Sequence, residues 1–587
     1  MKRSITRLAP RTMAIAVVLA AASAFAGCGS GDVAKTNLPA PPAPKPGLDT
    51  TGTGNPDDCI APACQDVPFL ATTHVGRLTN PQWERTMRDL LKLDALPGNS
   101  VGFPADPATA AEKFGNEAGD LIVTTTHWAA YQKAAETLAT FVSEDPSALD
   151  RILPADAKAG DTTARMQAFV KGFLPRAYRR DVTPAEIAGI VTAAEQASAL
   201  ATAGDPFAVR VKWALTTILQ SPHLLYRVAL GEADAVNGRA RLGAFEIATK
   251  LSYGLWGTMP DEALEDAART GKLSTKEGVA QVARDMLQDP RAAAALLDFH
   301  DLLYLVDHYP EVKNRPVDLF PKFYPTMMKD TQEDVRRTVR ELVIDNNGGW
   351  KELLTSSIAY VNRDLAGVYG VDANSIPELA NASSSDVWVK VDLDPSQRKG
   401  LLTHAGWLTY QGSPKDPAPI HRGAYVARHV VCQQLGSPPP GAAGAKIDAN
   451  PAKTNRERVT ATTAKCGDGC HGGRAGVINP LGFAFEGFDS IGQLRTKDGE
   501  FPLDTTGEVE VIGKFDDAVT LFDKAATNAR SHACYAAHWA SYLNGTSFVD
   551  VTPRWLSPAV AKSLKNGSVR DIIVEIVQTD AFLTVSR

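Results

Sequence analysis

Residues Cys466-Gly467-Asp468-Gly469-Cys470-His471 place two thiols a short loop apart, with an imidazole directly after the second. Two such cysteines can form thioether bonds to a c-type haem while the adjacent histidine supplies the proximal iron ligand. Glycines at 467, 469, 472 and 473 let the backbone lie close to a flat group. Haem attachment ordinarily has two residues between the cysteines, and here there are three. Two other chemistries fit the same atoms. Cys466 and Cys470 can close a disulfide with His471 merely exposed, or they can bind zinc, for which no fourth ligand stands nearby.

Methionine placement bears on the haem reading. All eight methionines lie at or before Met328, so a methionine ligand downstream of the motif is absent. The sixth position is then a histidine, a methionine from a distant part of the chain, or open. His421 is the first candidate iron ligand beside His471, followed by His404, His429, His532 and His538; imidazole ligation or an open face lowers the reduction potential relative to a His/Met centre. Other chemistries leave no motif: there is no nucleophile elbow, no H-E-x-x-H and no Walker loop. The adjacent acids Glu333 and Asp334 read as a solvated helix face, so no catalytic residue is assigned.

Lys2, Arg3, Arg7 and Arg11 precede an apolar run from Met13 to Ala26, the order of a signal peptide. The run is shorter than the about 20 residues of a membrane-spanning helix. It ends in Phe25-Ala26-Gly27-Cys28, which resembles a lipobox with Phe25 where leucine is usual. Residues 1–27 are therefore expected to be removed and Cys28 lipidated, with ordinary secretion and a free Cys28 as the alternative. Gly29 and Ser30, with no aspartate, fit a lipoprotein passed to the outer membrane. Pro39, Pro41, Pro42, Pro44 and Pro46 make residues 28–70 an extended tether. Cys59 and Cys64 at its end are near enough for a local disulfide. The formal net charge is −6, becoming −10 without the four basic residues of the signal, and nucleic acid is excluded as a partner. The expected location is the cell envelope, anchored by lipid.

Beyond the tether, helical spacing dominates. Trp83, Met87, Leu90 and Leu91 follow an N-cap expected at Asn80, and amphipathic segments run over 124–142, 163–174, 184–201, 207–227, 242–256, 276–288 and 328–345. Strand-like alternation is brief, at Val387, Val389, Val391 and Leu393 and near Val509 and Val511. The pattern predicts a mainly α protein with minor short β segments.

Five blocks in order resemble the multidomain proteins of unknown function, planctomycete and myxobacterial in type, that contain a cytochrome-c-like module. They are Leu78-Thr79 with Arg88-Asp89-Leu90-Leu91, Asp106 and Asn116; Tyr178-Arg179-Arg180 with Leu225-Tyr226-Arg227; Lys250-Leu251-Ser252-Tyr253 with Leu255-Trp256 and Pro260-Asp261; Arg422-Gly423 with Cys466, Cys470-His471 and Gly482-Phe483-Ala484-Phe485-Glu486; and Cys534, Asp571 and Phe582. The family more often has arginine at the Lys250 position.

The resemblance implies several helical domains in series: 71–150, 151–238 and 239–372, a cytochrome-c-like domain over 373–508, and a C-terminal helical domain over 509–587. Asn479-Pro480 resembles the segment after the haem motif of small cytochromes c, where a proline carbonyl holds the proximal histidine. Arg495 pairs with a haem propionate on this reading; alternatively Glu486, Asp489 and Arg495 form a structural ion-pair network. Cys432 and Cys534, in the last two blocks, remain for a disulfide once the local pairs are set aside. The expected function is electron transfer or haem-dependent redox chemistry outside the cytoplasm, with haem c as cofactor, the membrane as one partner and a redox protein as another. The alternative is a non-redox binding or scaffold lipoprotein stapled by a Cys466–Cys470 disulfide.

Overall fold

Most helix starts in this chain are set by short polar side chains that satisfy the first free backbone N–H groups. The computed structural model describes residues 75–586 except 108–113, 200, 202, 233, 234, 237, 383, 384, 436–446, 448–452, 465–475 and 548–553. Helix α1 (Asn80–Leu90) begins from Thr79, whose hydroxyl accepts from the N–H of Gln82 while the Gln82 side chain returns to Thr79. The cap thus lies one residue before the expected Asn80. Asn80 is held instead by its N–H to Asp106 and its amide to the Pro104 carbonyl.

Thr124, Asp145, Asp161, Thr183 and Asp205 cap α2 (Thr125–Glu144), α3 (Pro146–Ile152), α4 (Thr162–Tyr178), α5 (Pro184–Ser198) and α6 (Pro206–Leu219). Two expected boundaries shift. Helix α4 runs through Pro175 and ends at Arg179 in the left-handed conformation, while the predicted helix 207–227 breaks at Gln220, because Ser221 and Pro222 start a separate turn, α7 (Pro222–Leu225). Trp83, Met87, Tyr131, Phe169, Phe173 and Leu215 fill the core among these helices.

A second, larger core begins after the strands β1 (Ala235–Val236) and β2 (Arg239–Arg241). It takes in α8 (Ala244–Leu255), α9 (Glu262–Arg269), α10 (Lys276–Gln288), α11 (Ala292–Leu303), α12 (Met327–Val339) and α13 (Trp350–Thr355). A π-helical turn, Arg340–Asp345, extends α12. Strand β3 (Ile358–Val361) leads to α14 (Arg363–Tyr369), α15 (Pro377–Ala380) and β4 (Val389–Asp392). Val391 pairs with Ala359 and Val389 with Val361, so the predicted alternation is an antiparallel ribbon over a small core of Met327, Leu365 and Leu379.

The remainder comprises α16 (Ala405–Tyr410), α17 (Pro419–His429), α18 (Asn455–Thr463) and α19 (Ile478–Phe483). Two hairpins follow, β5 (Lys497–Asp498) with β6 (Phe501–Pro502) and β7 (Gly507–Val509) with β8 (Gly513–Phe515); Val511 lies in the turn of the second. Then come α20 (Ala518–Ala525), α21 (Ala529–Asn544), α22 (Ser557–Leu564), α23 (Val569–Val577), α24 (Asp580–Leu583) and β9 (Thr584–Ser586). These helices complete the larger core: Trp539 stacks on Phe299 at 3.7 Å and Tyr535 on Trp350 at 4.4 Å between ring centres. Strand β9 pairs with β2. The fold is mainly α, with no closed sheet among the described residues. No described helix is long and apolar enough to cross a membrane.

Candidate cofactor-bearing site

Helices α18 and α19 flank the motif in the chain, and α17 packs against α19 to make their frame. Gly423 of α17 and Gly482 of α19 let these helices touch backbone to backbone, since a Cβ on Gly423 would overlap the Ile478 carbonyl and one on Gly482 the Pro419 carbonyl. Beside the crossing, the fully buried Arg422 donates to the carbonyls of Phe485 and Phe488 at 3.1 Å, Leu408 at 2.9 Å and Asp489 at 2.8 Å. Burial pushes its guanidinium down to about 9, with nearby Glu486 countering. Arg398, also buried, donates to the carbonyls of Thr403 and Gly492 and lies over the Phe488 ring. The carbonyl ends freed by this irregular backbone are therefore gathered by two arginines.

The described chain before the motif and the chain after it are joined by a hydrogen bond. Asn479 of α19 donates its amide to the Thr463 hydroxyl of α18 at 2.8 Å. Behind it, Asn455 donates to Glu486 at 2.8 Å, and its N–H donates to Asp498. Cys466, Cys470 and His471 themselves lie outside the described residues, as do Cys28, Cys59 and Cys64.

Other predicted site residues are placed. Pro480 is half-buried in α19, its carbonyl packed against Gly507. Arg495 donates to the Glu486 carboxylate at 2.6 Å, to the Glu486 carbonyl at 2.7 Å and to Asp498 at 3.3 Å. This is the ion-pair arrangement, so a haem carboxylate reaching Arg495 must share it with two acids. Asp489 takes a different part, accepting from the N–H groups of Ile491 and Gln493 at 2.9 and 2.8 Å. Burial raises the carboxyls of both Glu486 and Asp489, with Arg495 and Arg422 pulling Glu486 the other way.

His421 is exposed on α17. The other histidines considered as ligands are buried and engaged. His404 meets Asp334 at 2.9 Å, and His532 contacts Ser563 at 2.6 Å and the Ala526 carbonyl at 2.9 Å. His538 contacts Cys534 at 3.4 Å and the His429 carbonyl at 3.2 Å. Met87, Met166, Met259, Met286, Met327 and Met328 are all buried in hydrophobic cores, which removes them as ready iron ligands.

Cys432, which follows α17, and Cys534 of α21 form a disulfide, with Cα atoms 5.3 Å apart. Cys432, Cys534 and His538 also have the proximity of a metal-binding group, but both sulfurs are engaged in the bridge.

One cluster departs from its sequence reading. Glu333 is a solvated side chain paired with Arg337 at 2.7 Å, whereas Asp334 is fully buried. Its carboxylate accepts from the Tyr369 hydroxyl and from the N–H of Tyr360 at 2.8 Å, in addition to meeting His404. The two acids point apart because successive helix positions are about 100° apart. This set ties α12, β3, α14 and the start of α16 together. The signal that could have found it is the Tyr369 and His404 pair, both in apolar surroundings.

Comparison with curated proteins and with solved structures finds no match. Comparison with protein families finds four, in chain order: PSD3 over residues 77–143, PSD5 over 165–228, PSD4 over 242–371 and PSCyt3 over 398–498. Each is described as a protein of unknown function, DUF1587, DUF1595, DUF1592 and DUF1588 respectively. The PSCyt3 match encloses the Cys466–His471 motif, the Arg422 pin and the Gly423–Gly482 crossing. The chain thus belongs to the multidomain proteins of unknown function assembled from PSD domains and a cytochrome-c-like PSCyt domain.

Proposed function

We propose that the chain is an exported lipoprotein, tethered to the cell envelope through Cys28, that carries a c-type haem on Cys466, Cys470 and His471 and acts in redox chemistry outside the cytoplasm. The observation that supports this best is the Thr463–Asn479 hydrogen bond. It joins the chain on either side of the motif, whose donor set, two thiols and an adjacent imidazole, fits haem attachment. When bound, the haem supplies one-electron transfer. The frame carries the chain on both sides of the attachment residues, and His421, exposed on the otherwise largely buried α17, is the candidate histidine with fewest structural commitments for the second iron face. A redox protein is the partner this reading calls for.

A second reading is favoured by Arg495, already paired with Glu486 and Asp498. In it the Cys466–Cys470 pair is a disulfide and the chain is a binding or scaffold lipoprotein. Production in a host with haem-attachment machinery separates the two. Peroxidase staining of a denaturing gel and the spectrum of the pyridine adduct should show covalent haem in the parent and none in a Cys466→Ser, Cys470→Ser variant. A colourless parent leaves the second reading. Cys28→Ser should release the protein from membranes, and its retention after a high-salt wash would remove the anchor.

A further inference from the structure

A cavity of about 70 Å³ lies where regions matched to different families meet, lined by Gly76 and Ala118, by Arg227, by Lys250 of α8, and by residues of α21 and β9. A single water needs roughly 10–15 Å³ on this measure, so the space suits a group of about five heavy atoms and is far too small for haem. Two cationic side chains share it. The Arg227 guanidinium makes no hydrogen bond among the described residues, and its Nε is sealed from solvent. Its Nη2 lies beside Gly76 and Gly545, 3.5 and 3.7 Å from where their Cβ atoms would stand. Lys250 donates to two neutral oxygens, Asn544 Oδ1 and the Phe582 carbonyl, each at 2.7 Å.

No described acid compensates this charge. Glu246, also in the wall, accepts from the N–H groups of Leu230 at 2.6 Å, Gly231 at 3.1 Å and Gly243 at 2.8 Å, and it forms no ion pair with either cation. Arg239 adds positive charge nearby, donating to Thr584 at 2.8 Å. Burial, then Arg227 and Arg239, pull the Lys250 ammonium down to about 7. Arg227 as a whole is half-buried, and an anion in the cavity would give its guanidinium the acceptor that the protein does not supply. Leu242, Leu543 and Val585 supply apolar lining to the same cavity.

The geometry points to a binding site for a small carboxylate on a short aliphatic stem, its oxygens on Arg227 and Lys250 and its stem against Leu242, Leu543 and Val585. A planar guanidinium edge suits such a carboxylate. The site is independent of the motif segment and of whether haem is attached.

Calorimetric titration of the full chain at pH 7 with acetate, propionate, butyrate and inorganic phosphate tests it. Saturable one-site binding of propionate or butyrate is expected, tighter than phosphate. Repeating the titration in buffers of different ionisation heat should reveal proton uptake as Lys250 becomes charged. Arg227→Gln should weaken binding about tenfold or more, and Lys250→Met should abolish the proton uptake. The uptake measurement uses the parent alone, so a variant that fails to fold leaves the test intact. Absence of saturable binding, preference for phosphate, undiminished binding by a folded Arg227→Gln, or binding without proton uptake would each overturn the proposal.

Discussion

Gly423 and Gly482 face opposite helices at one crossing, each occupying the space against which the other helix's backbone carbonyl rests. An alanine at either position must push α17 and α19 apart. Overpacking of this kind costs about 1–3 kcal/mol or more. Gly423→Ala and Gly482→Ala should each lower the urea midpoint accordingly. Gly487→Ala, with nothing within 4 Å of its would-be Cβ, should stay within about 0.5 kcal/mol of the parent. Equal stability of all three variants would mean that the helices do not touch there.

The Cys432–Cys534 bridge spans 102 residues. By chain entropy alone it is worth up to about 4.7 kcal/mol, and loss of a native disulfide typically costs about 2–5 kcal/mol. Replacing both cysteines with serine should lower unfolding stability within that range, and peptide mapping without reduction should recover the two joined. A free thiol at either position in the parent would contradict the bridge.

Asp334→Ala should be far more damaging than Glu333→Ala, although the residues are adjacent. Removing one member of a buried hydrogen-bonded set costs about 3–5 kcal/mol. The exposed Glu333–Arg337 pair contributes about 0.3–0.5 kcal/mol. Urea unfolding of the two variants measures both, and a difference under about 1 kcal/mol would mean that Asp334 is not engaged as described.

Acid should weaken the fold through two buried histidines. His300 and His538 are buried, and desolvation lowers both to about 4. Unfolded histidine titrates near 6.5. Between those values the unfolded chain binds more protons, so stability is intact above about pH 6.5 and falls as pH drops toward 4, by on the order of a few kcal/mol. Below about pH 4 these two residues add nothing further. Urea midpoints from pH 7.5 to 4.5 should show the decline, and His300→Gln should flatten it; superimposable profiles would contradict the assignment to His300.

Much of this architecture is readable locally. The helix 276–288 matches its prediction residue for residue, because Thr275 caps it and its apolar spacing is uninterrupted. The cap at Thr79 was also readable, through Gln82 three positions on. What Asp334 meets was not, since its partners Tyr369 and His404 lie 35 and 70 residues away. The Cys466–His471 chemistry stands in the sequence, and Arg422-Gly423 was marked by resemblance. What Arg422 does there, gathering four carbonyls from two other stretches of chain, is visible only once those stretches are assembled.

The pairing of Arg239 in β2 with Ser586 in β9 sets a schedule for the chain's own synthesis. Arg239 and Thr584 are 345 residues apart. At about 5–20 residues per second, a ribosome needs roughly 20–70 s to supply the second partner after the first. Over that interval α8, α10 and α11 lack the α21 and α23 surfaces that cover them. Until α21 is made Phe299 has no Trp539 to stack on, so this face of the core must wait unfolded or in the care of a chaperone.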